Sequence, residues 1–281
     1  MISEYDAFGP WVYEIDEEHP VPPLFAAYIK ETEQPLIQLK IPREIARRDA
    51  NPDMNLYDYV LGLYTDHISV LKRENNVIHP IQADYKDIEA LRLYKHLLAG
   101  ILILYLPGGK LEIPFNTVSL DIMKRFTRLI REHYQENTSK SLKKLALPNN
   151  LDPLSSNLIN DLQDEGDQPL SCVYQPVAGK VDGFIGRFCH PSVLACLHLQ
   201  LPEELLIIQQ EPTMSSDKGY IYHHTYISLS KIEKISFTTD EKSACCLIHL
   251  PHHEISYAFE ENNQSIRSFY DTIQKSLALH H

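Results

Sequence analysis

Short runs of alternating apolar and polar residues fill much of this chain, and two of them are near copies. Leu104–Phe115 reads LYLPGGKLEIPF, and Ile248–Phe259 reads IHLPHHEISYAF, 144 positions later. Without a gap, the same offset brings Ile88-Glu89 onto Ile232-Glu233 and Leu91 onto Ile235. It also brings Ile122 onto Ile266, Phe126 onto Tyr270 and Leu129 onto Ile273. An offset that survives through strand-like and helix-like stretches predicts an internal structural repeat. Farther upstream ISVLK, from Ile68, matches LLIIQ, from Leu205. The changed offset puts an insertion, EPTMSSDKGY, between two strands of the second copy, where a surface loop absorbs it.

Each copy has the same grammar. LGLY and LHLQL predict first strands, joined to ISVLK and LLIIQ by tight turns at Thr65-Asp66 and Pro202-Glu203. DIEALRLY and KIEKISF alternate as half-buried strands do, and ILILYL and CCLIHL are dense enough to be buried. Gly108-Gly109 suits a tight hairpin, whereas His252-His253 at the same place predicts a wider turn. An amphipathic helix then closes each copy, with Ile122, Phe126 and Leu129 as the apolar stripe of the first and Ile266, Tyr270 and Ile273 as that of the second.

Strand order and terminal helix resemble the pleckstrin-homology-like fold, an antiparallel barrel plugged at one end by a C-terminal helix. The expected fold class is therefore mainly β with α, as two tandem PH-like antiparallel barrels, each closed by a C-terminal amphipathic helix. The expected organisation is a Pro-rich acidic segment, 1–50, packing on a first domain at 51–135. A linker at 136–170, rich in Ser, Asn, Asp and Pro with one short helix at SSNLINDLQ, leads to a second domain at 171–281.

Composition narrows the function classes. Hydrophobic content of 43% and charged content of 23% are those of a globular protein. The longest apolar runs are too short for a membrane span, and MISEYDAFGPW lacks the basic-then-apolar layout of a signal peptide. Net charge is −12, of which residues 1–35 carry −7, while 36–135 carry +2. That balance disfavours nucleic acid, whose phosphates want a basic face. Five cysteines without C-x-x-C spacing argue against a disulfide framework and a zinc site, and point to a reducing cytoplasm.

No catalytic constellation emerges. The fourteen histidines include the adjacent pairs His223-His224 and His252-His253, which on a strand face opposite sides rather than one metal. GKVDGFIG has the wrong spacing for a phosphate loop, and Cys189-His190 are only sequence neighbours. No metal, cofactor or enzymatic activity is expected. In phosphoinositide-binding members of the resembled fold, the turn between the first two strands carries Lys and Arg; here those turns read YTDHIS and LPEELL. Lipid binding is thus not expected. Two basic clusters remain, Arg43, Arg47 and Arg48 in one and Lys124, Arg125, Arg128 and Arg131 in the other. The second lies at helical spacing, as a solvated face or as a docking surface for an acidic partner, including the chain's own N-terminus. The expectation is a cytoplasmic, non-enzymatic binding or scaffolding protein that recognises a protein or peptide, or itself. The resemblance implies that it does so by lending an edge strand or the groove beside the terminal helix. The alternative is a peripheral membrane adaptor for a lipid headgroup, and less so a metal-dependent hydrolase.

Overall fold

The computed structural model of the chain describes Tyr5 and residues 8–30, 33–134, 151–178, 193–211, 222–239 and 244–278. The GKVDGFIG stretch, Cys189-His190 and most of EPTMSSDKGY lie outside them. In chain order the elements begin with β1 (Tyr13–Glu14), α1 (Pro23–Ala26), β2 (Ile37–Pro42), β3 (Tyr57–Leu63), β4 (His67–Glu74) and β5 (Val77–Asp84). Then come β6 (Ala90–His96), β7 (Ala99–Leu106), β8 (Gly109–Asn116), α2 (Leu120–Tyr134) and α3 (Pro153–Asp164). The second half holds β9 (Ser171–Gln175), β10 (Cys196–Gln200), β11 (Glu204–Gln210), β12 (Tyr222–Ser228), β13 (Lys234–Thr239), β14 (Ala244–His249), β15 (Glu254–Phe259) and α4 (Gln264–Ala278). The fold is mainly β, built of antiparallel sheets with helices. Two compact units divide it. Unit 1 is Met1–Ile88, Lys95–Leu106 and Lys110–Gln135; unit 2 is Glu89–Tyr94, Pro107–Gly109 and Glu136–His281.

Unit 1 carries the sheet β1-β2-β3-β4-β5, antiparallel throughout. The Tyr64 N–H donates to the His67 carbonyl at 2.9 Å and closes the β3–β4 turn. Asn75, at φ +59, turns β4 into β5, a backbone region that Asn tolerates. Between β7 and β8, Gly109 at φ +126 supplies a conformation that a side chain would strain. Phe8 and Phe25 from the N-terminal segment share a buried cluster with Tyr57, Val60, Leu71 and Ile78. Helix α2 buries Met123, Phe126, Thr127, Ile130 and Arg131, one face at i, i+3, i+4, i+7 and i+8.

Unit 2 carries a sheet in which Ala90–Tyr94 of β6 pair with β12, followed by β11, β10 and β9, and a second sheet, β13-β14-β15. Helix α3, in the segment expected as a linker, is capped by Asp152, whose carboxylate accepts from the Ser155 N–H at 2.8 Å. Helix α4 buries Ile266, Phe269, Tyr270 and Ile273.

Small features recur between the units. Leu201 N–H donates to Glu204 as Tyr64 does to His67. The single 3-10 turns Tyr85–Asp87 and Leu229–Lys231 are each closed by the residue that follows, Ile88 or Ile232. Leu36 N–H donates to Leu63 and Leu170 N–H to Gln200, both at 2.7 Å, so β9 stands to β10 as β2 stands to β3. Two details differ from the sequence reading. The sheets are open in strand order, and the described strands do not form closed barrels. In the helices, burial pairs Met123 with Ile266, Phe126 with Phe269, Thr127 with Tyr270 and Ile130 with Ile273, an offset of 143 rather than 144. Both helices start at the offset of 144, Leu120 and Gln264, and the connection from β15 to α4 is one residue longer than that from β8 to α2, so it is the buried face of the helix and not its start that shifts. The turn at His252-His253 is the wider one, with β14 ending at His249 and β15 starting at Glu254.

Candidate functional site

In unit 2, strand β9 pairs with β10 on one side and, among the described residues, ends the sheet on the other. An end strand presents unpaired backbone groups. Beside it runs α4, and between them lies a groove of about 530 Å³. Its strand wall is Ser171, Cys172 and Val173; its helix wall is Gln264, Ser265, Ser268, Phe269 and Thr272. One corner is fixed by the fully buried Gln175, whose Oε1 accepts from Asn263 Nδ2 at 2.8 Å and from the Glu260 N–H at 3.3 Å. That amide ties the end of β9 to the start of α4, so the groove has a set width. The lining is hydroxyl- and amide-rich around one aromatic edge, with no charged side chain. Burial raises the Cys172 thiol to about 11, which leaves it a neutral wall rather than a nucleophile.

The equivalent place in unit 1 is filled. Strand β1 adds to the end of β2, with Tyr13 opposite Lys40 and Glu14 opposite Leu39, and the Ile15 N–H donates to the Gln38 carbonyl at 2.8 Å. The same segment grips the helix side. The Val12 N–H donates to Ser119 Oγ at 2.8 Å, just before α2, and Arg125 on α2 pairs with Glu14 at 2.9 Å. Through their pairing with β3 and β10, Gln38 and Leu39 correspond to Cys172 and Val173, two residues of the open groove's wall. At the helical offset of 143, Arg125 corresponds to Ser268.

The basic residues singled out in the sequence do not gather into one free surface. Arg43 is half-buried, with Nη1 3.5 Å from the Asn55 carbonyl. Arg47 stacks over the Tyr5 ring at 4.1 Å, and Arg48 lies 3.8 Å from Asp49. On α2, Lys124 is half-buried, Arg125 holds Glu14, and Arg128 lies 3.8 Å from Glu132. Arg131 corrects the expectation of a solvated helix face, because it is 6% exposed and sits on the packed side of α2. The acidic N-terminus does meet this helix, through Glu14 on Arg125.

Several of the described histidines take part in hydrogen-bonded sets. No group of three His, Cys, Asp or Glu among the described residues is placed to hold a metal ion. Glu89 is 2% exposed and accepts from Nδ1 of His252 at 2.6 Å and of His253 at 2.9 Å. Burial pushes its carboxyl up, and the two imidazoles more than offset that, so it ends below its ordinary value. His198 is 1% exposed and bonds Tyr270 Oη at 2.7 Å. Glu89 thus has a partner on each oxygen, whereas His198 keeps Nε2 buried without one.

Sequence reasoning found β9's neighbours and α4 but not the groove, whose walls lie about ninety residues apart. It also missed an exposed apolar group in unit 1. Leu97, at φ +47, and Leu98 tip the β6–β7 turn, where Thr117 N–H bonds the Leu98 carbonyl beside exposed Val118. No helix among the described residues is long and apolar enough to cross a membrane. No protein-family model matches the chain, and no curated protein matches it.

Proposed function

We propose that this chain is a non-enzymatic binding protein of two pleckstrin-homology-like modules, and that it takes an extended segment of a partner protein by strand addition in the groove between β9 and α4. The modular reading draws on the recurrence of four strands, three strands and a helix in each half of the chain. The functional reading rests on one observation: a strand end and a helix wall flank an open groove, and at the same place in unit 1 the protein's own segment is bound as a strand. Main-chain hydrogen bonds supply the attraction and the side-chain pockets supply selectivity, whatever the net charge of the two partners. The four described cysteines carry no disulfide, which fits a reducing, cytoplasmic setting.

The test is a selection of displayed seven-residue peptides on the full chain. Captured peptides are expected to slow amide exchange in residues 171–175 and to be lost on Ser265→Trp, which fills the groove from its helix wall. Captured peptides that slow exchange elsewhere and ignore Ser265→Trp would remove the reading.

A further inference from the structure

Unit 1 contains a worked example of the interaction, with its chemistry on view. The bound segment is Val12–Ile15, and besides the packing of Tyr13 and Ile15 on the buried cluster it is held by strand pairing to β2, the Val12 N–H on Ser119, and the carboxylate of Glu14 on Arg125. The strand pairing is sequence-blind. The ion pair reads charge. Helix α2 is suited to that, because Lys124, Arg125 and Arg128 lie on it with Asp121 and Glu132 as its acids.

Helix α4 is built differently on the matching face. Ser268 stands where α2 has Arg125, Ser265 where it has Ile122, and Thr272 where it has Leu129. All three line the open groove. A carboxylate laid opposite Ser268 would lose water and gain no cation, and burying an unpaired charge is costly. A hydroxyl, an amide or a small apolar group would exchange its water for the Ser and Thr hydroxyls or for Phe269. The difference also bears on where the chain's own N-terminal segment goes. It is tethered next to a groove that pairs Glu14 and is mismatched to the one that does not.

We infer that the β9–α4 groove takes an extended partner segment that is uncharged where it faces Ser268, whereas the groove of unit 1 selects a carboxylate at that place through Arg125. This rests on the strand-addition reading of the groove.

Two synthetic peptides of this chain's own Gly9–Ile15, GPWVYEI and its Glu14→Gln form, test it on the full-length protein. Amide exchange in residues 171–175 reports occupancy of this groove rather than that of unit 1. The Glu14→Gln peptide should bind the wild type more tightly, and Ser268→Arg should shift the ratio of the two affinities toward the Glu14 peptide by about two- to fivefold, the range of a half-exposed ion pair. That shift should shrink at high salt. A wild type that prefers the Glu14 peptide, or a ratio that Ser268→Arg leaves unchanged, would overturn the charge inference while keeping strand addition. If neither peptide slows exchange in 171–175, strand addition itself fails, and this inference with it.

Discussion

His198 should make this protein lose stability in mild acid, in a way that one substitution abolishes. The imidazole lies on β10, 1% exposed, among the rings of Tyr257, Phe269 and Tyr270. Its Nδ1 is 2.7 Å from Tyr270 Oη, which is in turn hydrogen-bonded to the Cys246 sulfur. In the proton order with Nδ1–H donating to Tyr270 Oη, Nε2 is left as a bare lone pair. Nε2 is buried without a hydrogen-bond partner. A proton added there would create a cation with nothing to receive it. Burial accordingly pulls the pKa down from 6.5 to about 3.

The unfolded chain takes up that proton below about pH 6.5 and the native state does not. A folded-state value below the unfolded one means stability is full above pH 6.5 and falls as the pH drops toward 3. Between pH 7 and pH 5 the loss from this one group is about 2 kcal/mol. Urea denaturation of the wild type and of His198→Leu at both pH values isolates it, because every other titrating group cancels in the difference. His198→Leu costs stability at pH 7, since Tyr270 loses its donor, yet its further loss on acidification should be about 2 kcal/mol smaller than that of the wild type. Equal losses in the two proteins would mean that His198 is protonated in the native core, and the proton order above would be wrong.

Three further outcomes follow from the same geometry. Phe126→Ala, at a fully buried position on α2, should cost about 3–5 kcal/mol in urea denaturation; a loss under about 1 kcal/mol would mean the helix does not plug a core. Glu89→Gln should cost about 2–3 kcal/mol at neutral pH. It should also flatten acid unfolding below about pH 4, because the stability from a lowered carboxyl is present above its ordinary range and lost as pH falls through its folded value. Leu97→Gly should raise the thermal midpoint, worth about 1 kcal/mol, since Leu at φ +47 is strained and its exposed side chain has little packing to lose; an unchanged or lower midpoint would show that Leu97 packs.

The strands and the repeat were legible because strand periodicity is strong and each copy carries it. Ile113 and Phe115 of β8 are buried, as are Tyr257 and Phe259 of β15, at the offset of 144 that the sequence suggested. The helix bounds keep the offset of 144, but the buried face of the first helix was misread by one for a physical reason. Ile122 and Leu129 are apolar and so looked like core, but both are half-buried, beside the buried row of Met123, Phe126 and Ile130. Arg131 misled in the opposite sense, since a charged residue on the packed face breaks the binary pattern. Strand β1 was out of reach because two residues in a Pro-rich segment have no period to detect.

The misread helix face and the open groove have one cause. On the groove-facing side of α2, Ile122 and Leu129 stand where α4 has Ser265 and Thr272. In unit 1 the strand end is covered by the chain's own segment, and a covered face gains from apolar side chains at about 25 cal/mol per Å² buried. In unit 2 the matching face is open, and Ser265, Ser268 and Thr272 are exposed. An open apolar groove beside an unpaired strand would invite aggregation, a hazard that a hydroxyl lining lowers. The same hydroxyls leave little hydrophobic gain for an incoming segment. Under the strand-addition proposal, most of its binding would then come from the backbone of β9, and its selectivity from the few positions where it meets Phe269 and Ser268. On that proposal the partner would be held weakly and released readily, unlike a permanent subunit.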